Sequence, residues 1–251
     1  HEYMYSNRGF GFASIPPIVK NLILINVIVL LADITLQRTM GFRLSTYMGL
    51  HFFKSEVFNP LQIVTHMFMH GSLSHLFFNM FALFMFGRVL ETVWGPKRFL
   101  TYYFVTGLGA ALIHSTVLYI QYASVIKDLS PEQISIVLEN GRELYLTYRN
   151  YTNPAMGQLN QILNVPTVGA SGAVFGVLLA FGMLFPNTQL MLLIPPIPIK
   201  AKYFVIIFAK LKLYLAVTHP GSNIAHAAHI GGMIFGFFLI RYWKKNTNNF
   251  Y

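Results

Sequence analysis

The stretch SLSHLFFNMFALFMFG, residues 72–87, is apolar enough for a membrane-crossing helix yet contains polar side chains. It ends an uncharged run that covers residues 60–87. Two of its polar residues, His75 and Asn79, are four positions apart and therefore lie on one face of a helix. Polar groups inside a bilayer are energetically expensive, which makes them functional candidates. The stretch predicts a spanning helix that carries part of a site.

The composition of the whole chain is that of a membrane protein. Its 251 residues are 55% hydrophobic and 10% charged, whereas a soluble domain has about 25% charged residues. Further uncharged runs cover residues 21–32, 99–126, 151–199 and 218–240. The chain has no cysteine, which excludes disulfides and a cysteine nucleophile.

The apolar runs predict an all-α membrane protein, a bundle of six transmembrane helices. Strands are not expected, because the runs are continuous rather than alternating. The six segments are Ile18–Thr35, Ser72–Glu91 with Ser72 as N-cap, Phe99–Tyr119, Gly169–Phe185, Ala201–Thr218 and Ile224–Trp243. The corresponding domain division is an N-terminal segment at 1–17, a six-helix domain at 18–243 and a C-terminal tail at 244–251.

The distribution of charge predicts the orientation. An even number of spans puts both termini on one side, where ten basic residues face two acidic ones; the other side has six of each. Positive charge accumulates on the cytoplasmic side. Both termini are therefore expected in the cytoplasm, with a bacterial inner membrane as the expected location. The excess of basic residues is thus assigned to orientation, and a nucleic-acid partner is not expected.

Two outer connections are long. Met40–Gly71 is amphipathic and is expected to lie in the membrane interface. The second, 121–167, is polar and is inserted between the third and fourth helices. Within it, Ser130 as N-cap and Gln133 as its partner predict a capped helix, with Gly141 as the stop.

Counting along the helices places four polar residues at one depth. His75 and Asn79 precede Arg88 by roughly 20 and 14 Å of helix. Ser171 precedes Pro186 by roughly 22 Å. His229 precedes Arg241, another charged residue, by roughly 18 Å. All four are expected in the outer half of the membrane, where they can converge. The list of candidates is thus Ser171, His229, His75 and Asn79.

Ser171 has the setting of a nucleophile. Its helix, at about 17 residues or roughly 25 Å, is shorter than the bilayer core and should begin below the outer surface. A helix start offers free N–H groups to a developing oxyanion, and Gly169 permits close backbone approach. Small-residue faces on two helices can bring Ser171 within hydrogen-bond reach of His229. These faces are Gly172 with Gly176, and Gly232 with Gly236.

The residues suggest a dyad rather than a triad. No aspartate is placed to orient His229, and His75 and Asn79 can both donate hydrogen bonds to an oxyanion beside the Ser171 N–H. Other interpretations stay open at this point. Ser171 can be a packing residue, and His75 with Asn79 can hold helices together. The pairs His226 with His229 and His66 with His70 can each be half of a metal site, although no HExxH motif or neighbouring acid supports it.

Three motifs in their spacing across six helices resemble the rhomboid intramembrane serine proteases. They are HGSLSHLFFN at 70–79, GASG at 169–172 and AHAAHIGG at 225–232, and the resemblance covers residues 21–243. It implies Ser171 as nucleophile, His229 as general base, and His75, Asn79 and the Ser171 N–H as oxyanion hole. It also implies cleavage of transmembrane segments of other membrane proteins, within the lipid bilayer, without a cofactor.

Two departures from the family pattern stand out. The aromatic residue four positions after the serine, expected beneath the histidine, is Phe175 and lacks a tyrosine hydroxyl. The connection 121–167 is also long.

The alternative functions are an inactive rhomboid-like binder or chaperone and a transporter or channel. Lys210 and Lys212, inside the fifth segment, are the only hint of the latter. The turn at Thr218–Ala225 is expected to act as a cap over Ser171.

Overall fold

The computed structural model describes residues 14–192, 195–218 and 223–246, and these are mostly helical. The predicted terminal segments 1–17 and 244–251 therefore lie largely outside the described residues. The helices are α1 Pro17–Met40, α2 Ser45–Met48, α3 Gln62–Thr65, α4 Leu73–Ala82, α5 Arg88–Trp94, α6 Pro96–Val125, α7 Pro131–Leu146, α8 Pro154–Asn164, α9 Ser171–Leu184, α10 Ala201–Thr218 and α11 Asn223–Asn246. Short 3-10 turns follow α3 and α6, and the strands are β1 Gln189–Met191 and β2 Pro198–Lys200.

Three helical stretches among the described residues are long and apolar enough to cross a membrane. They are Pro17–Met40, Leu73–Trp94 and Pro96–Asp128. The second joins α4 to α5 through a π-helical turn at Leu83–Gly87. The apolar α9 has 14 residues and is shorter than a full span, as expected of a helix that begins within the membrane. Ser72 accepts a hydrogen bond from the His75 N–H, which confirms it as the N-cap of α4.

The centre of the molecule is built from α6, α9 and α11, which pack closely through small residues. A side chain at Gly232 of α11 would overlap the Gly172 carbonyl group of α9. A side chain at Gly236 would overlap the Tyr102 hydroxyl, which itself donates to the Gly176 carbonyl oxygen. Of the two predicted small-residue faces, the one on α11 thus lies against α9 and α6, whereas side chains at Gly172 and Gly176 would overlap Ala110 and Thr106 of α6. This packing fixes the beginning of α9 against α11.

The connection 121–167 is largely helical, which its polar composition did not predict. It contains the end of α6, then α7 and α8, whose apolar sides meet in a core that includes Val137, Leu159 and Leu163. The capping box of Ser130 and Gln133 is confirmed. The predicted stop at Gly141 is wrong, because α7 continues to Leu146. Gly141 is instead buried beneath α8, where the Asn160 side chain occupies the space that a side chain would need.

The expectation that the chain has no strands is wrong at one place. After α9, β1 and β2 pair antiparallel, with Leu190 opposite Ile199. Prolines at 186, 195, 196 and 198 keep this region from continuing as a helix. Each strand has three residues, which is too short for an alternating pattern to be recognised in the sequence.

The start of α1 is held by a buried carboxylate. Pro16 and Pro17 supply no N–H, so the first N–H groups of α1 belong to Ile18 and Val19. Both donate to Glu91 of α5, at 2.8 and 2.9 Å. A negative group at a helix N-terminus is favoured by the unsatisfied N–H groups and by the helix dipole. Glu91 therefore joins α1 to α5 at what is predicted to be the cytoplasmic side.

Glu91→Ala is expected to destabilise the protein substantially. Two N–H groups would lose their acceptor, and each unsatisfied buried group costs about 1–3 kcal/mol. Thermal unfolding in detergent should show a lower midpoint, with a smaller loss for Glu91→Gln, which keeps one acceptor oxygen. Glu139→Ala, which removes an exposed carboxylate from α7, is the matched control. Equal midpoints for Glu91→Ala and Glu139→Ala would contradict this role.

Candidate active site

Ser171 occupies the first position of α9 and has free backbone N–H groups around it. The first α-helical bond here runs from the Val174 N–H to the Ala170 carbonyl, and no side chain caps the helix. The N–H groups of Ser171, Gly172 and Ala173 therefore have no partner within the helix. The hydroxyl of Ser171 thus lies where an adjacent negative charge would meet several donors.

His229 lies directly beside this hydroxyl. Its Nε2 atom is 2.9 Å from the Ser171 Oγ atom, although the residues are 58 positions apart in the chain. Both side chains are partly exposed rather than sealed in the core. The geometry lets a neutral imidazole accept the hydroxyl proton when the oxygen attacks an electrophile.

Phe175 packs against the imidazole. Its ring stacks on His229 with centroids 4.3 Å apart and an angle of 15° between the planes. The His229 Nδ1 atom has no hydrogen-bond partner among the described residues. The Lys212 ammonium lies 5.3 Å from the Phe175 centroid, which gives this lysine of α10 a cation–π contact with α9.

Phe175→Leu is expected to reduce turnover by roughly tenfold, because aromatic stacking contributes about 0.5–1.5 kcal/mol beyond area burial. Phe175→Tyr preserves the stack and should retain most of the turnover. The control is Phe238→Leu, which changes an exposed ring on α11. Steady-state cleavage of a membrane substrate measures the effect, with a thermal melt on each variant. Unchanged turnover in Phe175→Leu would show that the stack does not orient His229.

His75 reaches the same site from α4 and contacts the strained turn before Ser171. Gly169 has φ 126°, a conformation that side-chain-bearing residues rarely adopt. A Cβ atom there would also lie 2.8 Å from the His75 Cε1 atom. The Gly169 N–H donates to the His66 carbonyl oxygen at 2.9 Å, which ties the turn to the outer connection. Gly169 is thus needed for both its conformation and its lack of a side chain.

Asn79 is buried one turn deeper than His75, and its amide is already engaged. Its Nδ2 atom lies 3.0 Å from the His70 Nε2 atom. Burial, with a contribution from His75, lowers the pKa of His70 to about 4, so this imidazole is neutral at pH 7 and Nε2 can accept. An amide nitrogen carries two hydrogens, and the second remains for another acceptor. Sequence spacing could not have paired His70 with Asn79, because nine residues separate them across a helix start.

The site opens into a cavity of about 790 Å³. Ser171, His229 and His75 line it, as does His114 of α6. Asn79 is not among its lining residues. His114 is buried and shares a hydrogen bond with the Thr167 hydroxyl. Its sequence position carries the signal, because His114 is a polar residue within the uncharged run 99–126 and is therefore a functional candidate.

The two histidine pairs that could each be half of a metal site, His226 with His229 and His66 with His70, gain no further ligand among the described residues. Among residues 14–192, 195–218 and 223–246, no group of three or more His, Cys, Asp or Glu side chains could hold a metal ion. His66 is bonded through Nδ1 to the Gln62 carbonyl oxygen at 2.9 Å within the outer connection, and its own carbonyl oxygen accepts from the Gly169 N–H, which ties this connection to the turn before Ser171. Of the predicted cap at Thr218–Ala225, residues 219–222 lie outside the described part of the chain.

Comparison with known proteins gives the family. The rhomboid domain model matches residues 58–245, more than half of the chain. The chain is 27% identical over 184 residues to the mitochondrial rhomboid protein 1 of Saccharomyces cerevisiae, covering 73% of this chain and 42% of that protein. It is 25% identical over 177 residues to the rhomboid protease AarA of Providencia stuartii, covering 68% and 51% respectively. For the rhomboid protease GluP of Bacillus subtilis the identity is 28% over 177 residues, covering 70% and 25%.

The chain spans about half or less of the length of these relatives. The match nevertheless includes all three sequence motifs, and the described residues contain three helices apolar enough to cross a bilayer. The chain is therefore an integral membrane protein that belongs to the rhomboid family.

Proposed function

We propose that this protein is an intramembrane serine endopeptidase that cleaves transmembrane segments of other membrane proteins with a Ser171–His229 dyad. The observation that carries the proposal is the 2.9 Å contact between the His229 Nε2 and Ser171 Oγ atoms in the lining of a large cavity. Two of the similar proteins are named rhomboid proteases, which agrees with this activity. No cofactor takes part in the proposed reaction.

The reaction follows from the chemistry of the two side chains. The Ser171 oxygen attacks the substrate carbonyl carbon while its proton passes to the His229 Nε2 atom. The imidazolium then gives that proton to the leaving amine, and an acyl-enzyme remains. Water, deprotonated by the same imidazole, hydrolyses the ester and restores the serine hydroxyl. A substrate helix must unwind locally for its carbonyl to be attacked, which favours small or helix-breaking residues near the cleaved bond.

The tetrahedral intermediate needs donors for its oxyanion. The Ser171 N–H lies at an uncapped helix start, and we assign His75 and Asn79 as the side-chain donors. His75 lines the cavity, whereas Asn79 lies behind it with one amide hydrogen directed to His70. Asn79 would therefore contribute its second hydrogen once a substrate carbonyl has entered.

Asn79→Ala should lower kcat about 10- to 100-fold, below the full effect of about 10²–10³ for one lost donor, because other donors remain. The Michaelis constant should change little, since the bond strengthens only when the charge develops. Steady-state kinetics on a membrane substrate would separate the two parameters. A loss confined to the Michaelis constant would remove Asn79 from the oxyanion hole.

We further propose the six-span arrangement with both termini in the cytoplasm. The uneven distribution of basic residues supports it. Because the 14 residues of α9 are too few for a full span, we infer that Ser171 at its start lies below the outer surface. The expected bacterial inner membrane stays a prediction, because the similar proteins come from bacteria and from mitochondria.

Reconstitution tests the proposed activity. The purified protein in liposomes, mixed with a single-span substrate, should release two fragments whose junction lies in or beside the span. Excess chelator should leave the rate unchanged, and Ser171→Ala should give no product. Capture of the substrate without cleavage would favour the inactive binder, and inhibition by chelator would favour a metal mechanism.

A further inference from the structure

The insertion between α6 and α9 forms one wall of the active-site cavity. Gln158 and Gln161 of α8 and Gln121 near the end of α6 line the same cavity as Ser171 and His229. Gln158 and Gln161 are three positions apart and exposed, so they share the free face of α8. Val165, four positions after Gln161, continues this face into the cavity.

This wall is held rigidly. The opposite face of α8 places Leu159 and Leu163 in the core shared with α6 and α7, where they are at most 5% exposed. Asparagine side chains add a chain of hydrogen bonds from Asn164 to Asn160 at 2.7 Å and from Asn160 to Asn150 at 3.1 Å.

The connection from α8 to the active site is equally fixed. Thr167 pairs with Leu50 through backbone bonds of 2.9 and 2.8 Å, and its hydroxyl is bonded to His114 of α6. Ser171 follows four residues later. These bonds therefore hold Gln158 and Gln161 at a defined position relative to Ser171.

The lining chemistry indicates what the wall can bind. The described residues that line the cavity include no aspartate, glutamate, lysine or arginine, and they combine amides with Leu118, Ile162 and Val165. A glutamine amide offers two donors and an acceptor, which matches the free N–H and C=O groups of an extended polypeptide. A cavity of about 790 Å³ has the size of sites that enclose a ligand of several residues or a drug-sized molecule.

We propose that the exposed face of α8 is a substrate-binding surface for an uncharged, unwound stretch of the substrate that flanks the cleaved bond on the outer side. This inference rests on the proposed protease function and adds specificity to it. Gln158 and Gln161 bind main-chain amides of that stretch, while Leu118 and Val165 contact its side chains. The insertion thereby selects substrates whose outer flank is extended and without charge.

The first test compares two readouts on the double variant Gln158→Ala/Gln161→Ala. With a membrane substrate, the Michaelis constant should rise roughly five- to 150-fold, the range expected when two hydrogen bonds are lost. The change in kcat should be smaller. Gln189→Ala, which removes an exposed glutamine of β1 beyond the other end of α9, is the matched control and should change neither constant.

The second test changes the charge of the wall. Two substrates are compared, one with Lys and one with Asp in the outer flank. The Gln189→Glu control should cleave the Lys substrate and the Asp substrate at similar rates. Gln161→Glu should favour the Lys substrate over the Asp substrate by roughly fivefold or more, since opposite charges attract at close range and like charges repel. A surface that is merely solvated would show no such preference.

Reaction of Ser171 with a small fluorophosphonate separates the possible failures. If the wild-type protein is labelled and cleaves its substrate, but Gln161→Glu shows the same Lys-to-Asp ratio as Gln189→Glu, the binding role of α8 is overturned. The same holds if the double alanine variant keeps the wild-type Michaelis constant. If the wild-type protein is neither labelled nor active, the protease proposal itself fails, and the role of α8 fails with it.

Discussion

Replacing His229 by alanine should reduce cleavage of a membrane substrate by about 10⁴-fold or more, and Ser171→Ala should reduce it at least as far. Without the His229 Nε2 atom the Ser171 hydroxyl loses the acceptor proposed for its proton, and without Oγ no acyl-enzyme can form. Because the two side chains act as a unit, the double variant should be no slower than the slower single variant. Cleavage rates of the three variants measure this.

The control for this prediction is the thermal unfolding of each variant, which reports whether the protein is still folded. Ser171 and His229 are partly exposed and hydrogen-bonded to each other, so truncating either should change the thermal midpoint little. A His229→Ala variant with the wild-type melting curve and no cleavage would support a catalytic role. Cleavage at more than about a tenth of the wild-type rate, or losses that multiply in the double variant, would contradict the dyad.

Gly232→Ala should lower activity by about 100-fold or more. The added methyl group would overlap the Gly172 carbonyl group, so α11 must move away from the start of α9. Gly232 lies three residues after His229 on α11, and the movement therefore lengthens the contact between His229 and Ser171. A displacement of 1 Å in a catalytic group can cost about 10²-fold in rate. Gly232→Val should be worse than Gly232→Ala.

Gly71→Ala is the matched control, because a Cβ atom at that position has no neighbour within 4 Å. Activity and thermal midpoint should both be measured, since overpacking costs about 1–3 kcal/mol of stability. The expected pattern is a loss of activity in Gly232→Ala that is far larger than its loss of stability at the assay temperature. Full activity in Gly232→Ala would show that the contact between α9 and α11 does not position the dyad.

Sequence reasoning was most successful where one helix could be treated alone. The bounds of α10, Ala201–Thr218, agree with the predicted fifth segment. Depths counted from charged residues placed Ser171 and His229 at one level, and in the structure their side chains are in hydrogen-bond contact. A helix rises by a fixed distance per residue, so depth needs no knowledge of the neighbouring elements. The roles of these residues stay predictions until they are tested.

The features that the sequence did not predict correctly are those that tertiary contacts determine. Gly141 lies within α7 and does not end it. The lack of a side chain at this position leaves room for the Asn160 side chain of α8. The helix α8 was not recognised, because its 11 residues are flanked by polar sequence and gain their stability from packing on α6 and α7. The bond between His70 and Asn79 joins a loop to a helix, and no periodicity reports such a pair.

Labelling with a fluorophosphonate followed by mass spectrometry tests the central claim most directly. The detergent-solubilised protein should acquire one adduct, located on Ser171 in the peptide that contains GASG. His229→Ala should slow the labelling strongly, Ser171→Ala should abolish it, and the matched exchange of an exposed serine, Ser135→Ala on α7, should leave it unchanged. An intact protein that cleaves its substrate but carries no adduct on Ser171, or an adduct that persists in Ser171→Ala, would contradict the account.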